Sequence, residues 1–151
     1  MDTRTRSLHL GLLSLRVGLG MVFVAHGAQK LMTFGLAGTA GFLDQLGVPF
    51  PGANAAALIA VELFGGLALL AGAATRVSSA LLAVAMTVAT LLVHLPNGFF
   101  LAANGYEYTL MLGFATVALA LTGPGAWSVD ALVARRRSAR AVDRTPVRIA
   151  A

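Results

Sequence analysis

Four long apolar stretches dominate the chain, at about residues 8–31, 54–73, 77–95 and 102–122. A helix rises about 1.5 Å per residue, so some 20 apolar residues cross the roughly 30 Å hydrocarbon layer of a bilayer. Each stretch has that length, and polar positions punctuate them sparsely. The first carries Arg16, His26, Gln29 and Lys30, and the second only Glu62. The third ends in His94, and the fourth has Glu107 near its start. Breakers separate them: Gly47, Pro49 and Pro51 before the second, Thr75 and Arg76 between the second and third, and Pro96, Asn97 and Gly98 after the third. Gly123, Pro124 and Gly125 close the fourth.

This pattern predicts an all-α fold, a polytopic membrane four-helix bundle running up-down-up-down. A short helix over residues 40–46 is expected at the interface in the first outer loop, with Phe42, Leu43 and Leu46 on one side and Gly47 as its stop. A basic start before an apolar run also fits a signal peptide, but the length of the run and Arg16 within it favour a retained first helix. Residues 1–134 form one membrane domain in this reading, and residues 135–151 a basic tail without fixed structure. Trp127 is placed at the interface, and residues 128–134 supply one or two amphipathic turns.

Charge sets the orientation. Arg4 and Arg6 precede the first helix, Arg76 lies in the second connection, and Arg135, Arg136, Arg137, Arg140, Arg144 and Arg148 fill the tail. Positive residues stay on the cytoplasmic side, so both termini are expected inside the bacterial inner membrane. The chain is 58% hydrophobic and 11% charged, against about 25% charge in a soluble domain. The net charge of +5 sits mostly in the tail, beside apolar helices, which points to lipid headgroups and not to nucleic acid. With no cysteine, the chain itself has no dithiol, iron–sulfur or thiolate-metal chemistry.

The membrane setting makes the few ionisable residues candidates for function, because a charge near the bilayer centre costs about 2.5–3.5 kcal/mol. In the predicted topology His26, Lys30, Glu62, His94 and Glu107 all reach the outer half of the bundle and form a polar ligand pocket there. Glu62 is the deepest acid and the natural partner of Lys30 or a protonated His26, since a carboxylate in hydrocarbon stays charged only beside a cation. Arg16 shares a helix sector with His26 and Lys30, and Thr87, Thr90 and His94 share one on the third helix, giving secondary polar positions. Plainer readings stand beside these. Arg16 snorkels, Lys30 marks a boundary, Glu107 starts a helix, His94 caps one, and Glu62 holds helices together. No catalytic residue and no metal site is expected, the Glu-x-x-His repeats of a di-iron bundle being absent.

At these residues the chain resembles the DoxX-like family of small bacterial membrane proteins. The resemblance is carried by Arg16 with His26, Gly27 and Lys30, by LGVPFP at residues 46–51, and by Glu62 with Gly65 and Gly66. Gly72 with Thr75 and Arg76 follows, then His94, Asn97 with Gly98, and Glu107. It implies a four-helix membrane bundle. Relatives are linked to quinone reduction by sulfur compounds, as small subunits of thiosulfate:quinone oxidoreductase, or to scaffolds joining a thiol oxidoreductase and a superoxide dismutase. Two functions follow as expectations. One is an accessory subunit that binds quinone through His26, Lys30 and Glu62, with Phe23, Phe64 and Phe99 against the ring. The other is a scaffold that recruits redox-enzyme partner subunits or a second copy of itself. Haem held by His26 and His94 is disfavoured by their different depths, and four short helices leave little room for a solute pathway.

Overall fold

The computed structural model describes residues 2–143, which are all-helical with no strand. Helix α1 spans Thr3–Gln29. Asp2 caps it, its carboxylate accepting from the Thr5 amide at 2.7 Å, and that bond holds the carboxyl below its ordinary pKa. A π-helical turn, Lys30–Phe34, follows, and the chain then swings at Gly35, whose φ of +68° suits glycine, into α2, Gly35–Gln45. Helix α3 is Pro51–Ala71, α4 is Thr75–Ala89, α5 is Glu107–Thr122 and α6 is Val129–Asp143. A second π turn, Thr90–His94, extends α4.

Three helical stretches, Thr3–Gln45, Pro51–Ala71 and Thr75–Asn97, are long and apolar enough to cross a membrane. The fourth, Glu107–Thr122, is apolar but shorter, about 24 Å at the helical rise. Exposed Phe99, Phe100 and Leu101 continue its apolar surface at one end. The wider surface is equally apolar: Phe64, Met111, Phe114 and Leu121 are all more than 60% exposed, as side chains facing acyl chains are.

Helix α1 packs closely on α3, and α4 on α5; α3 and α4 join the two pairs, and α2 folds back along α3. The buried core lies where they meet, at Leu19, Phe23, Leu69, Leu82, Met86, Leu112 and Leu119. Small residues set the α1–α3 distance. A Cβ on Gly66 would lie 2.8 Å from the Val24 amide nitrogen, and one on Gly27 would lie 2.6 Å from that of Leu63. Gly20 faces the Gly66 carbonyl in the same way. Lipid tails are as apolar as leucine, so such close van der Waals packing supplies the association that the hydrophobic effect supplies in water.

The turn between α3 and α4 is closed by a Schellman motif. Gly72, at φ +68°, lets the Ala73 amide reach the Ala68 carbonyl at 2.9 Å and its own amide reach that of Leu69 at 3.1 Å. Three differences from the sequence reading concern boundaries. The fourth helix begins at Glu107 and not near residue 102, because Asn104, at φ +59°, ends the short turn Leu101–Ala103 before it. The loop helix begins at Gly35 and not near residue 40, because the first helix passes almost directly into it. The basic segment is helical through Asp143, where an unstructured tail was expected from residue 135. Residues 129–143 contain neither Gly nor Pro and are rich in Ala and Arg, both strong helix formers. Residues 144–151 of the expected tail lie outside the described residues.

Replacing Gly27 or Gly66 by Ala should therefore push α1 from α3 and cost about 1–3 kcal/mol. Gly18→Ala, where nothing lies within 4 Å, should be neutral or slightly stabilising. Thermal unfolding of the three variants in one detergent checks the contrast.

Candidate functional site

The only ion pair among the described residues lies in the α1–α3 seam. Lys30 Nζ donates to Glu62 Oε2 at 2.7 Å, with 23% and 4% of the two side chains exposed. Glu62 is on the buried face of α3 with Ile59, Gly66 and Leu69. Lys30 opens the π turn, just beyond the point where Gly27 touches the Leu63 backbone. The approach of the two glycine-lined helices thus brings the two charges together. Thr39 of α2 donates to the Gly35 carbonyl at 3.0 Å and lies 3.5 Å from that of Lys30, holding α2 against the turn.

His26 is exposed. Its ring lies 6.5 Å from that of Tyr108 on α5, tilted by 50°. Tyr108 lines an open groove of about 440 Å³ with Phe99, Leu101, Glu107, Met111 and Phe114. The groove is apolar along its length and carries its polar groups, Glu107 and Tyr108, at one end. His94 and Glu107 bind the connection between α4 and α5. His94 Nδ1 lies 2.9 Å from the Asn104 carbonyl and donates to it, because a carbonyl only accepts. Glu107 Oε1 accepts from the Leu101 amide at 2.6 Å, and Asn97 donates to the Val93 carbonyl at 3.1 Å. Thr90 donates to Thr109 at 2.8 Å across α4 and α5, whereas Thr87 is exposed and bonds only to Ala83 of its own helix.

The five expected pocket residues thus resolve into three arrangements: the Lys30–Glu62 pair, His26 beside Tyr108, and the loop bonds of His94 and Glu107. The sectors drawn for a straight α-helix account for part of this. The π turn Thr90–His94 adds a residue to the turn where His94 leaves its helix, and rotates it from the expected line. Of the aromatic residues expected at a quinone ring, Phe23 is fully buried in the core, Phe64 is on the α3–α4 side, and Phe99 lines the groove.

Arg16 takes no part in this region. It is 1% exposed at the basic end of the bundle, where Nη2 donates to the Trp127 carbonyl at 2.7 Å and Nη1 lies against Gly72, leaving no room there for a Cβ. Asp130 completes this node. Its two carboxylate oxygens accept from the Ala74 and Thr75 amides at 2.8 and 2.9 Å, and its own amide donates to the Gly72 carbonyl at 3.0 Å. The carboxylate of α6 therefore caps α4, a helix that starts from Ala74 at φ +45° with no side-chain cap of its own. Asp130 and Tyr108 were not singled out from the sequence. Asp130 looks there like an acid in the first turn of its own helix, and Tyr108 like one more aromatic residue at an interface. Among the described residues no three His, Asp or Glu side chains gather as a metal site requires.

The family model DoxX matches residues 11–95. "Putative oxidoreductase CatD" of Bacillus subtilis is 34% identical over 128 residues, which are 85% of this chain and 90% of that protein. "Inner membrane protein YqjF" of Escherichia coli is 33% identical over 84% of this chain and 95% of its own length. An uncharacterized membrane protein of Mycobacterium tuberculosis is 30% identical over 83% of this chain and 82% of its own. No solved structure matches the chain.

Glu62→Leu and Lys30→Met should each leave the partner's charge stranded in the α1–α3 seam. Each should lower stability by about 2–3 kcal/mol, below the usual 3–5 for a buried pair because Lys30 keeps part of its side chain exposed. The double variant Lys30→Met with Glu62→Leu should recover most of that loss. A double-mutant cycle on melting in detergent measures the coupling, and additive losses would count against an energetically coupled pair.

Proposed function

The chain belongs to the DoxX family and is a multi-pass protein of the bacterial inner membrane, and from that premise we propose that it is an accessory, quinone-interacting subunit in membrane redox or oxidative-stress physiology, without catalytic activity on its own. The observation that carries this reading is the open apolar groove on α5, with Tyr108 in its wall and His26 against that tyrosine.

A quinone needs an apolar slot for its ring and tail and hydrogen-bond donors for its carbonyl oxygens. The groove fits both needs. Phe99, Met111 and Phe114 offer ring and thioether surface, and Tyr108 and His26 offer an O–H and an N–H. A bound quinone would accept electrons and protons. Tyr108 would orient a carbonyl oxygen, and the imidazole N–H of His26 would pass a proton to it. This chain has no cysteine to supply the electrons, so they would come from a partner subunit. The Lys30–Glu62 pair, each charge satisfied by the other, would fix α1 against α3 and so hold His26 toward α5. The word oxidoreductase in the Bacillus subtilis relative's name points in the same direction.

The topology follows in the same reading. The start of α1, the α3–α4 turn and the start of α6 are bonded together at one end, through His9 with Ala126 and Asp130 with Ala74. That end carries Arg4, Arg6, Arg76 and the arginines of α6, so it is the cytoplasmic one. Four spans then run up-down-up-down, in one membrane unit over residues 1–134.

A second reading, a scaffold that recruits partner proteins, is favoured by the internal use of most polar groups. Lys30, Glu62, His94 and Glu107 all bond within the chain.

Protein purified in mild detergent with native lipid separates the two. Quinone should copurify and show in an optical redox-difference spectrum. His26→Ala and Tyr108→Phe should each lower its occupancy about tenfold, the worth of one hydrogen bond, with melting unchanged. Folded protein without quinone would leave the scaffold, and full occupancy in both variants would remove the groove as the site.

A further inference from the structure

The segment after the fourth apolar helix is a helix held in a fixed place. Asp130 bonds to the Ala74 and Thr75 amides, Arg16 bonds to the Trp127 carbonyl, and the Ala126 amide donates to His9 Nδ1 at 3.2 Å. These bonds reach α1, the α3–α4 turn and the buried Arg16, so α6 starts at a set position beside the ends of the spans. Its composition changes along its length. Trp127, Val129, Leu132 and Val133, all at least 40% exposed, come first. Arg135, Arg136, Arg137 and Arg140 follow, all exposed.

Arg135 turns back and donates to the Ala126 carbonyl at 3.1 Å. Arg136, Arg137 and Arg140 fall within about 100° of one another around the helix, and Val129 and Val133 lie in that same sector. None of the three pairs with an acid among the described residues. The centre of the apolar turn and the centre of the arginines are about 10 Å apart along the axis. Roughly 5–8 Å of headgroup layer covers each face of the hydrocarbon. A helix whose first turn is apolar and whose next turns carry exposed guanidinium groups matches that boundary in the order of its apolar and charged side chains. A cytoplasmic acidic protein would complement the arginines, but it would leave the four exposed apolar side chains in water.

We propose that α6 is an interfacial helix that binds the phosphates of anionic phospholipids through Arg136, Arg137 and Arg140, with their acyl chains against Trp127, Val129 and Val133. The chemistry is that of guanidinium with a phosphodiester, supported by apolar contact. The site is held open toward the membrane by the Asp130 cap and the Arg16 bond. It is independent of any quinone bound at the far end of the bundle.

The chain has a single tryptophan, Trp127, which reads the lipid next to α6 directly. The full chain is reconstituted in phosphatidylcholine bilayers containing a minor fraction of brominated phosphatidylglycerol, or of brominated phosphatidylcholine as a reference. Quenching of Trp127 should show phosphatidylglycerol enriched at least about fivefold over its bulk fraction, the yield of one arginine at the surface. High salt should abolish the enrichment. Replacing Arg136, Arg137 and Arg140 together by Gln should abolish it too, while replacing them by Lys should keep most of it. All three are exposed, so these variants should fold. Equal quenching by the two lipids in the unaltered chain would overturn the proposal. Enrichment that survives the Gln substitutions would also overturn it, assigning the anionic lipid to Arg4, Arg6 or Arg76.

Discussion

The contact on which the rest of the molecule depends is the approach of the α1 and α3 backbones at Gly20, Gly27 and Gly66. In lipid, apolar side chains have no reason to leave their surroundings for one another, so helices associate where their surfaces fit most closely. Glycines at the crossing remove the side chains that would hold the axes apart, and Leu63 and Val24 present their backbone amides there instead. That closeness is what lets Lys30 reach Glu62 at 2.7 Å. A carboxylate buried on a membrane helix is tolerable only with a cation in reach. Sequence, packing and electrostatics are therefore a single arrangement in this seam. Its separation also fixes where α1 presents His26 to α5.

Polar chemistry is divided between the two ends of the bundle. The ion pair, His26 and the Thr90–Thr109 bond occupy the far end, and Arg16, Asp130, Thr75 and Ser79 occupy the basic end. Between them lie Leu19, Phe23, Leu69, Leu82 and Met86, buried and apolar. Thr116 is also buried, but its hydroxyl is bonded to the Leu112 and Gly113 carbonyls of its own helix. A chain of polar groups from one face to the other is thus absent among the described residues.

Much of this was legible in the sequence, for physical reasons that also mark where legibility ended. Apolar length reports spans because hydrocarbon thickness is fixed, so three of the helices and the shorter fourth were visible. The cost of burying a charge made Lys30 or a protonated His26 the natural partner of Glu62, and the structure supplies Lys30. The partners of other polar residues were not legible because they are backbone groups, which a sequence does not display. His94 meets the Asn104 carbonyl and Glu107 meets the Leu101 amide, and neither is suggested by residue type. Arg16 was drawn toward His26 and Lys30 by helix periodicity, yet its side chain reaches the Trp127 carbonyl, 111 positions away. The order in α6 was hidden for the same reason: its composition reads as solvated, and what fixes it is a bond from Asp130 to a distant turn.

That bond has a consequence for biogenesis. Helix α4 begins with backbone amides that no nearby side chain satisfies, and their acceptor is made more than fifty residues later. While the chain emerges from the ribosome, the α3–α4 hairpin must enter the bilayer with its turn incomplete, relying on water at the membrane surface. Only when residue 130 has been synthesised can the turn be sealed and Arg16 bond to the Trp127 carbonyl. Insertion and consolidation are then separate events, and the second is timed by translation. A nascent chain halted in its fourth apolar helix would be inserted without being locked, its unsealed turn still open to water at the membrane surface.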